Sequence, residues 1–413
     1  PALYLYWLPS LIFLGIYQAG GVLLTTLAAM ICVGVFFFLL WKSLEEVGIS
    51  NLAAGLVLIL ISLIAASFFS PRPQILALPL FGLSLWLILR WQNGKKQFLW
   101  LLPMIALLWA NIHGSFIILF FVLVPACLFG AGDRRRLIFL TGFAFLATFV
   151  NAYTFQIWSN MFSVVSNQSN QLFGLEWKPI SNQGWQWNIL FGLLLLVPLL
   201  ATFSKARVNW LYWIWFLGLG WMALSSVRYV IWFLPILALG ICTWIDAWVR
   251  QFAERFSNRL NQHGINLILG SVLLVFPLLL LPGVRAIWWQ NSPPAYNDST
   301  PVSAAEWLRQ NPDLPGNLWT DFSYSTYLTY ALPERKLFTT NRIEDFTATT
   351  IEDYFRISGA AFDWEATLQK YSIHLVMASR LDQPELVKAL TASVQWQQVY
   401  QDDQAIIFTQ FNP

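Results

Sequence analysis

Four short polar stretches interrupt an otherwise apolar chain, and their residue types suit the binding of an anion. They are Ser70-Pro71-Arg72-Pro73-Gln74, Asn111-Ile112-His113-Gly114-Ser115, Leu175-Glu176-Trp177-Lys178-Pro179 and Ser226-Val227-Arg228. The guanidinium groups of Arg72 and Arg228 present a planar fork of donors that matches phosphate oxygens, and they stay charged at any physiological pH. Gln74 and Asn111 add neutral donors. The His113 imidazole can donate to the same phosphate or move a proton, because its ordinary pKa lies near neutrality. Glu176 is the candidate acid or base among the four stretches. Each residue also has a plainer use. Arg72 and Arg228 can snorkel to lipid headgroups, His113 can cap the helix that follows Gly114, and Glu176 can be a solvated loop carboxylate. What separates the two readings is whether the chain brings these residues to one place.

The elements that must do so are membrane helices. Apolar residues make up 57% of the 413 and charged residues 11%, against about 25% charged in soluble proteins. The key stretch is residues 98–132, apolar except for the knot at 111–115. As one helix it would rise about 50 Å, too long for a hydrocarbon core of about 30 Å. Lys95 and Lys96 precede it and Arg134, Arg135 and Arg136 follow it, and basic clusters favour the cytoplasmic side. Both ends inside means two crossings, with the knot at the outer turn. Further spans are expected at residues 22–41, 51–69, 75–91, 137–153, 188–203, 210–224, 229–248 and 265–281. This makes about ten, or eleven if residues 2–18, with Pro9 in their middle, cross rather than lie in the interface. Alternation along these spans puts Arg72, the knot, the loop of residues 151–187 and Arg228 on the outer face together. Trp158, Trp177, Trp185 and Trp187 are expected as interfacial anchors.

After Gly283 the chain is expected to stay outside. Prolines and charges rise from about Arg285, so the reading is a helical polytopic membrane domain over residues 1–284 and a small soluble α/β domain over 285–413. Within the latter, helices are expected at 301–310, 325–331, 363–371 and 384–392. Strands are expected at 317–319, 336–339 and 373–378, and a closing hairpin at 398–400 with 405–409. Asp321, Arg342, Glu344 and Asp345 read as surface or ion-paired groups.

Several classes fall away. The net charge of +3 is small and its basic residues sit in short loops, so no nucleic-acid partner is expected. Cys32, Cys127 and Cys242 all lie in apolar runs, which argues against a disulfide framework or a thiolate metal site. No phosphate-binding glycine loop, dinucleotide fingerprint or His-Glu-x-x-His is present. No metal site and no cofactor are assigned, with a divalent metal left open. The chain starts at Pro1 with no visible signal segment, and further residues upstream are expected.

The four stretches, with Trp109 to Phe116 and with Asp321–Leu332 followed by Arg335–Phe338 and Asn341–Glu344, resemble a bacterial branch of the polytopic GT-C glycosyltransferases. These are distantly related to protein mannosyltransferases and the aminoarabinose transferase of lipid A. The chain departs from that pattern at Asn151-Ala152-Tyr153 and at Thr340. The resemblance implies inverting transfer of a sugar from a polyprenyl-phosphate donor, drawn from the membrane lipid, to an acceptor on the external face of a bacterial plasma membrane. It places Arg72, Gln74, Asn111, His113 and Arg228 around the donor phosphate, and its catalytic carboxylate on a first external loop that this chain does not include. A different class also fits: a non-catalytic lipid-handling, transport or assembly-scaffold protein. A transport path would need polar residues inside several spans, which are nearly free of charge here.

Overall fold

The computed structural model describes residues 6–257, 299–314 and 316–411. The described chain forms two compact units, one of residues 6–163 with 175–257, the other of residues 164–174 with 299–411. The boundary expected at residue 284 lies outside the described residues.

The first unit is a bundle of α1 (Trp7–Glu46), α2 (Asn51–Ala65), α3 (Ala77–Gln92), α4 (Leu101–Ile112), α5 (Ile117–Phe129), α6 (Arg134–Ala147), α9 (Trp185–Phe203), α10 (Trp210–Ser225) and α11 (Val230–Ser257). Between α6 and α9, α7 (Gln156–Ser166) and α8 (Gln168–Phe173) occupy the polar loop. Five helices are long and apolar enough to cross a membrane, namely Trp7–Glu46, Asn51–Phe68, Pro73–Gln92, Trp185–Phe203 and Val227–Arg255. Three more, Leu101–Ile112, Gly114–Phe129 and Trp210–Ser225, are apolar but shorter. The chain is thus an integral membrane protein. The expected ten or eleven spans are not reproduced among the described residues, and the one at 265–281 lies outside them. Counting apolar runs overlooks where helices stop. α4, with 12 residues, rises only about 18 Å, and α6 stops at Ala147, short of the end expected at 153.

Side-chain contacts nevertheless sort the loops into two ends. At one, Lys96 Nζ meets Asp133 Oδ2 at 2.8 Å, Trp91 Nε1 donates to the Asp133 carbonyl at 3.1 Å, and Arg90 and Lys95 both pair with Glu46. Here also Asn209 Nδ2 donates to Gln92 Oε1 at 2.7 Å, and Arg250 binds Asp246 and the Gly48 carbonyl. Both flanks of residues 98–132 therefore lie at this basic end, and the stretch reverses at His113, whose extended backbone (φ −157°, ψ 141°) separates α4 from α5. The stretch is a helical hairpin with its turn at His113. α1 adds a feature of its own: as 40 residues it would be about 60 Å long if straight. Non-helical backbone at Gly20 and Gly21 breaks it, with Gly21 at φ 61°, a conformation that glycine adopts without strain.

Lipid tails are as apolar as these side chains, so packing and interhelical hydrogen bonds hold the bundle. Trp91, Trp109, Trp215 and Trp232 are fully buried, and Trp215 Nε1 ties α10 to the Val122 carbonyl of α5 at 3.1 Å. Gly130 and Gly132 close the hairpin base against Trp91. A Cβ at Gly132 would stand 2.5 Å from the Trp91 ring and from its backbone carbonyl. Gly132→Ala is therefore expected to cost about 1–3 kcal/mol, read as a lower melting temperature of the full chain in detergent. A melt unchanged within a degree would show that the base is not closed this way.

The second unit carries a five-stranded sheet in the order β2-β1-β3-β5-β4, from β1 (Asn317–Thr320), β2 (Lys336–Leu337), β3 (Leu375–Ser379), β4 (Trp396–Gln401) and β5 (Ala405–Gln410). β2, β1 and β3 run parallel, and the β4–β5 hairpin adds antiparallel. Helices Val302–Gln310 and Phe322–Ala331 cover one face, and Ala348–Ser358, Trp364–Lys370 and Pro384–Ala392 the other. The central β3 is buried along its whole length, as a strand covered on both faces must be. The expected α/β domain stands, with Ala348–Ser358 as an additional helix.

Candidate functional site

The four polar stretches converge at the end of the bundle opposite the basic one. Arg72 pairs with Glu176. The Arg228 guanidinium lies 4.9 Å from the centre of the Trp177 ring, a cation–π stack, and Tyr6 stands close enough to interact with it electrostatically. Ser226 Oγ donates to the Glu176 carbonyl at 2.8 Å and Val227 N to the Lys178 carbonyl at 3.0 Å, so residues 176–178 are stapled to the turn that carries Arg228. Tyr229 meets the Trp177 ring edge-on at 6.4 Å. The His113 ring centre is 5.4 Å from that of Tyr6. Tyr6 therefore stands beside both His113 and Arg228, which sit on different loops.

His113 caps the turn that follows it. Its Nδ1 accepts the Ser115 backbone N–H at 3.0 Å and capes no further than that turn, with the Ser115 hydroxyl 2.7 Å away. Ser115 Oγ in turn accepts from Trp109 Nε1 at 3.1 Å. With Nδ1 engaged as an acceptor, the proton belongs on Nε2, which has no partner among the described residues. Burial first, and then the Arg228 charge, pull the imidazole pKa down to about 3. At neutral pH His113 is a neutral N–H donor rather than a cation or a charged acid.

The other candidates divide. Asn111 spends both amide protons on backbone carbonyls, those of Leu107 at 2.8 Å and Val150 at 2.9 Å. It anchors α4 to the end of α6 and has no donor left for a phosphate. Gln74 is the reverse case. Its Nε2 is sequestered from solvent without a hydrogen-bond partner among the described residues, and so is Ser70 Oγ in the same loop. A buried donor left unpaired is costly, which gives this loop a reason to hold a ligand. Two guanidinium groups face one carboxylate, Glu176, so a bound anion would complete the neutralisation.

Tyr6 and the Trp109–Ser115 support are residues that sequence reasoning passed over. Tyr6 sits in an aromatic run with no polar neighbour to mark it, whereas Ser115 follows His113 at the spacing of a side-chain cap. In the α/β domain, Asp321 caps helix Phe322–Ala331 through Ser323 N at 2.8 Å and accepts from the Tyr354 hydroxyl at 3.2 Å. Arg342 pairs with Asp345 at 3.2 Å. Among the described residues no three His, Cys, Asp or Glu side chains gather as metal ligands.

Fold and site together define an integral membrane protein with a cationic polar cluster at one end of an apolar bundle and an attached α/β domain. Neither a protein-family model nor a curated protein matches the chain.

Proposed function

We propose that the cluster binds the phosphate of a polyprenyl-phosphate sugar and that the protein transfers the sugar to an external acceptor, as in the glycosyltransferases its polar stretches resemble. The observation that carries this reading is the convergence of Arg72, Gln74, His113 and Arg228, four donors from three separate stretches, at one end of the bundle, where Glu176 is the one carboxylate among the four polar stretches. In the reaction an acceptor hydroxyl attacks the anomeric carbon and gives its proton to a carboxylate base, which the resemblance places outside the described residues; the bond from that carbon to the phosphate oxygen breaks, and its electron pair leaves with the phosphate. Donors fixed in advance around that oxygen stabilise the growing charge. Arg72 and Arg228 supply cations, and His113 Nε2 and Gln74 Nε2 supply neutral N–H groups. Asn111 holds the turn. Glu176 already faces Arg72, so its role is to position that guanidinium. The basic loops at the other end support a cytoplasmic placement for that end and an external one for the cluster.

The engagement of Glu176 by Arg72 also favours a second reading, a carrier that holds the lipid phosphate without chemistry. One experiment separates them. The full chain in nanodiscs is incubated with a radiolabelled polyprenyl-phosphate sugar, and retained donor and label passed to an added acceptor are both measured. Arg72→Ala is expected to cut retention about tenfold. Its melting temperature should hardly move, because an exposed ion pair contributes about 0–1 kcal/mol. Retention without transfer leaves the carrier, and equal retention by wild type and Arg72→Ala sinks both readings.

A further inference from the structure

At the basic end lies a second feature, independent of the phosphate cluster. A cavity of about 240 Å³ is lined by Leu89, Gln92, Arg207, Tyr212 and Thr243, among others. Val208 and Asn209 line both it and an adjoining groove of about 590 Å³ walled by Trp210, Trp213 and Leu217. The groove is of the size of small-ligand sites, about 300–1,000 Å³. Its outer wall is bare, with Trp210 79% and Leu217 66% exposed.

Two groups at this place lack what they need. Tyr212 is 2% exposed, yet its hydroxyl has no hydrogen-bond partner among the described residues, and a buried hydroxyl is costly to leave unpaired. Arg207, whose Nη1 donates to the Ala201 carbonyl at 3.3 Å, has no acidic partner among the described residues.

We infer that this cavity and groove bind one anionic phospholipid of the leaflet at the basic end. An acyl chain lies along Trp210, Trp213 and Leu217, the phosphate meets Arg207, and an oxygen of the headgroup region accepts the Tyr212 hydroxyl. The sign of the charge selects an anionic over a zwitterionic lipid, as basic pockets between membrane helices do. The continuity of cavity and groove selects a molecule with a polar head and a long tail over a free phosphate.

The test uses the full chain in nanodiscs of phosphatidylcholine with a trace of diazirine-tailed phosphatidylglycerol, with crosslinks mapped by peptide mass spectrometry. Label is expected to concentrate in residues 208–217. Excess phosphatidylglycerol should compete it away and excess phosphatidylcholine should not. Arg207→Gln should lower labelling about fivefold, the size of one basic side chain at an anionic surface, and Tyr212→Phe should lower it less. If phosphatidylcholine competes equally in the wild type, or label spreads evenly over the lipid-facing helices, the assignment is wrong, whether or not the variants fold.

Discussion

Arg228→Ala is expected to lose polyprenyl-phosphate binding by about 30- to 1,000-fold, equivalent to about 2–4 kcal/mol for truncating one member of a desolvated charge pair. Arg228 is the most constrained of the cationic groups. Its guanidinium is held on the Trp177 ring with Tyr6 beside it, and its turn is bonded to the Glu176 and Lys178 carbonyls. A charge held that firmly adds little conformational cost when a phosphate arrives. Arg228→Lys keeps the charge but loses the planar stack and the fork, and a flexible ammonium recovers only part of the affinity. The measurement is retention of labelled polyprenyl phosphate by the full chain. An unchanged melting temperature of the full chain serves as a control that the bundle is intact. Binding within twofold of wild type would remove Arg228 from the site.

Trp109→Ala carries the largest expected cost in stability. Trp109 is fully buried, packed against Phe81 and Trp232 with ring centres 6.2 and 5.5 Å away. Truncation leaves a void that its neighbours cannot fill, about 3–5 kcal/mol by the precedent of buried Trp and Phe. Because interior contacts are lost outright, the penalty holds in a lipid-embedded bundle as well. It also frees the Ser115 hydroxyl that stands beside His113 Nδ1. Trp109→Phe retains most of the packing and loses the indole N–H, a cost of about 1 kcal/mol. The pair of melts, with and without polyprenyl phosphate, separates the support of the core from the orientation of His113. Equal damage from Phe and Ala would assign the effect to the hydrogen bond rather than to ring volume.

The gathering of the site was legible in the sequence because charge sorts loops. Lys95 and Lys96 before the hairpin and Asp133 with the arginines after it could not lie at opposite ends, and the Lys96–Asp133 pair shows them together. The same alternation set Arg72, His113, Glu176 and Arg228 level with one another. Their individual partners were not legible. Arg72 and Glu176 are 104 residues apart and Asn111 reaches a carbonyl 39 residues away, separations at which no local pattern speaks. Nor could composition tell a full crossing from a helix that stops after 12 or 13 residues. In the α/β domain the buried β3 and the helix opening at Pro384 announce themselves by an apolar run and a proline. Ala348–Ser358 does show Ile351, Tyr354 and Ile357 on one face, but it opens on Ala-Thr-Thr, where β-branched residues weaken the helical signal.

Residues 164–174 belong with the α/β unit, where Phe173 stacks on Phe355 with ring centres 5.2 Å apart. The α/β domain is therefore discontinuous in the gene. A fragment encoding residues 299–411 alone would leave Phe355 without that cover and expose an aromatic face that invites self-association. Fusing residues 164–174 ahead of it through a flexible spacer restores the missing piece, and that is the form in which the domain should be produced for study in water.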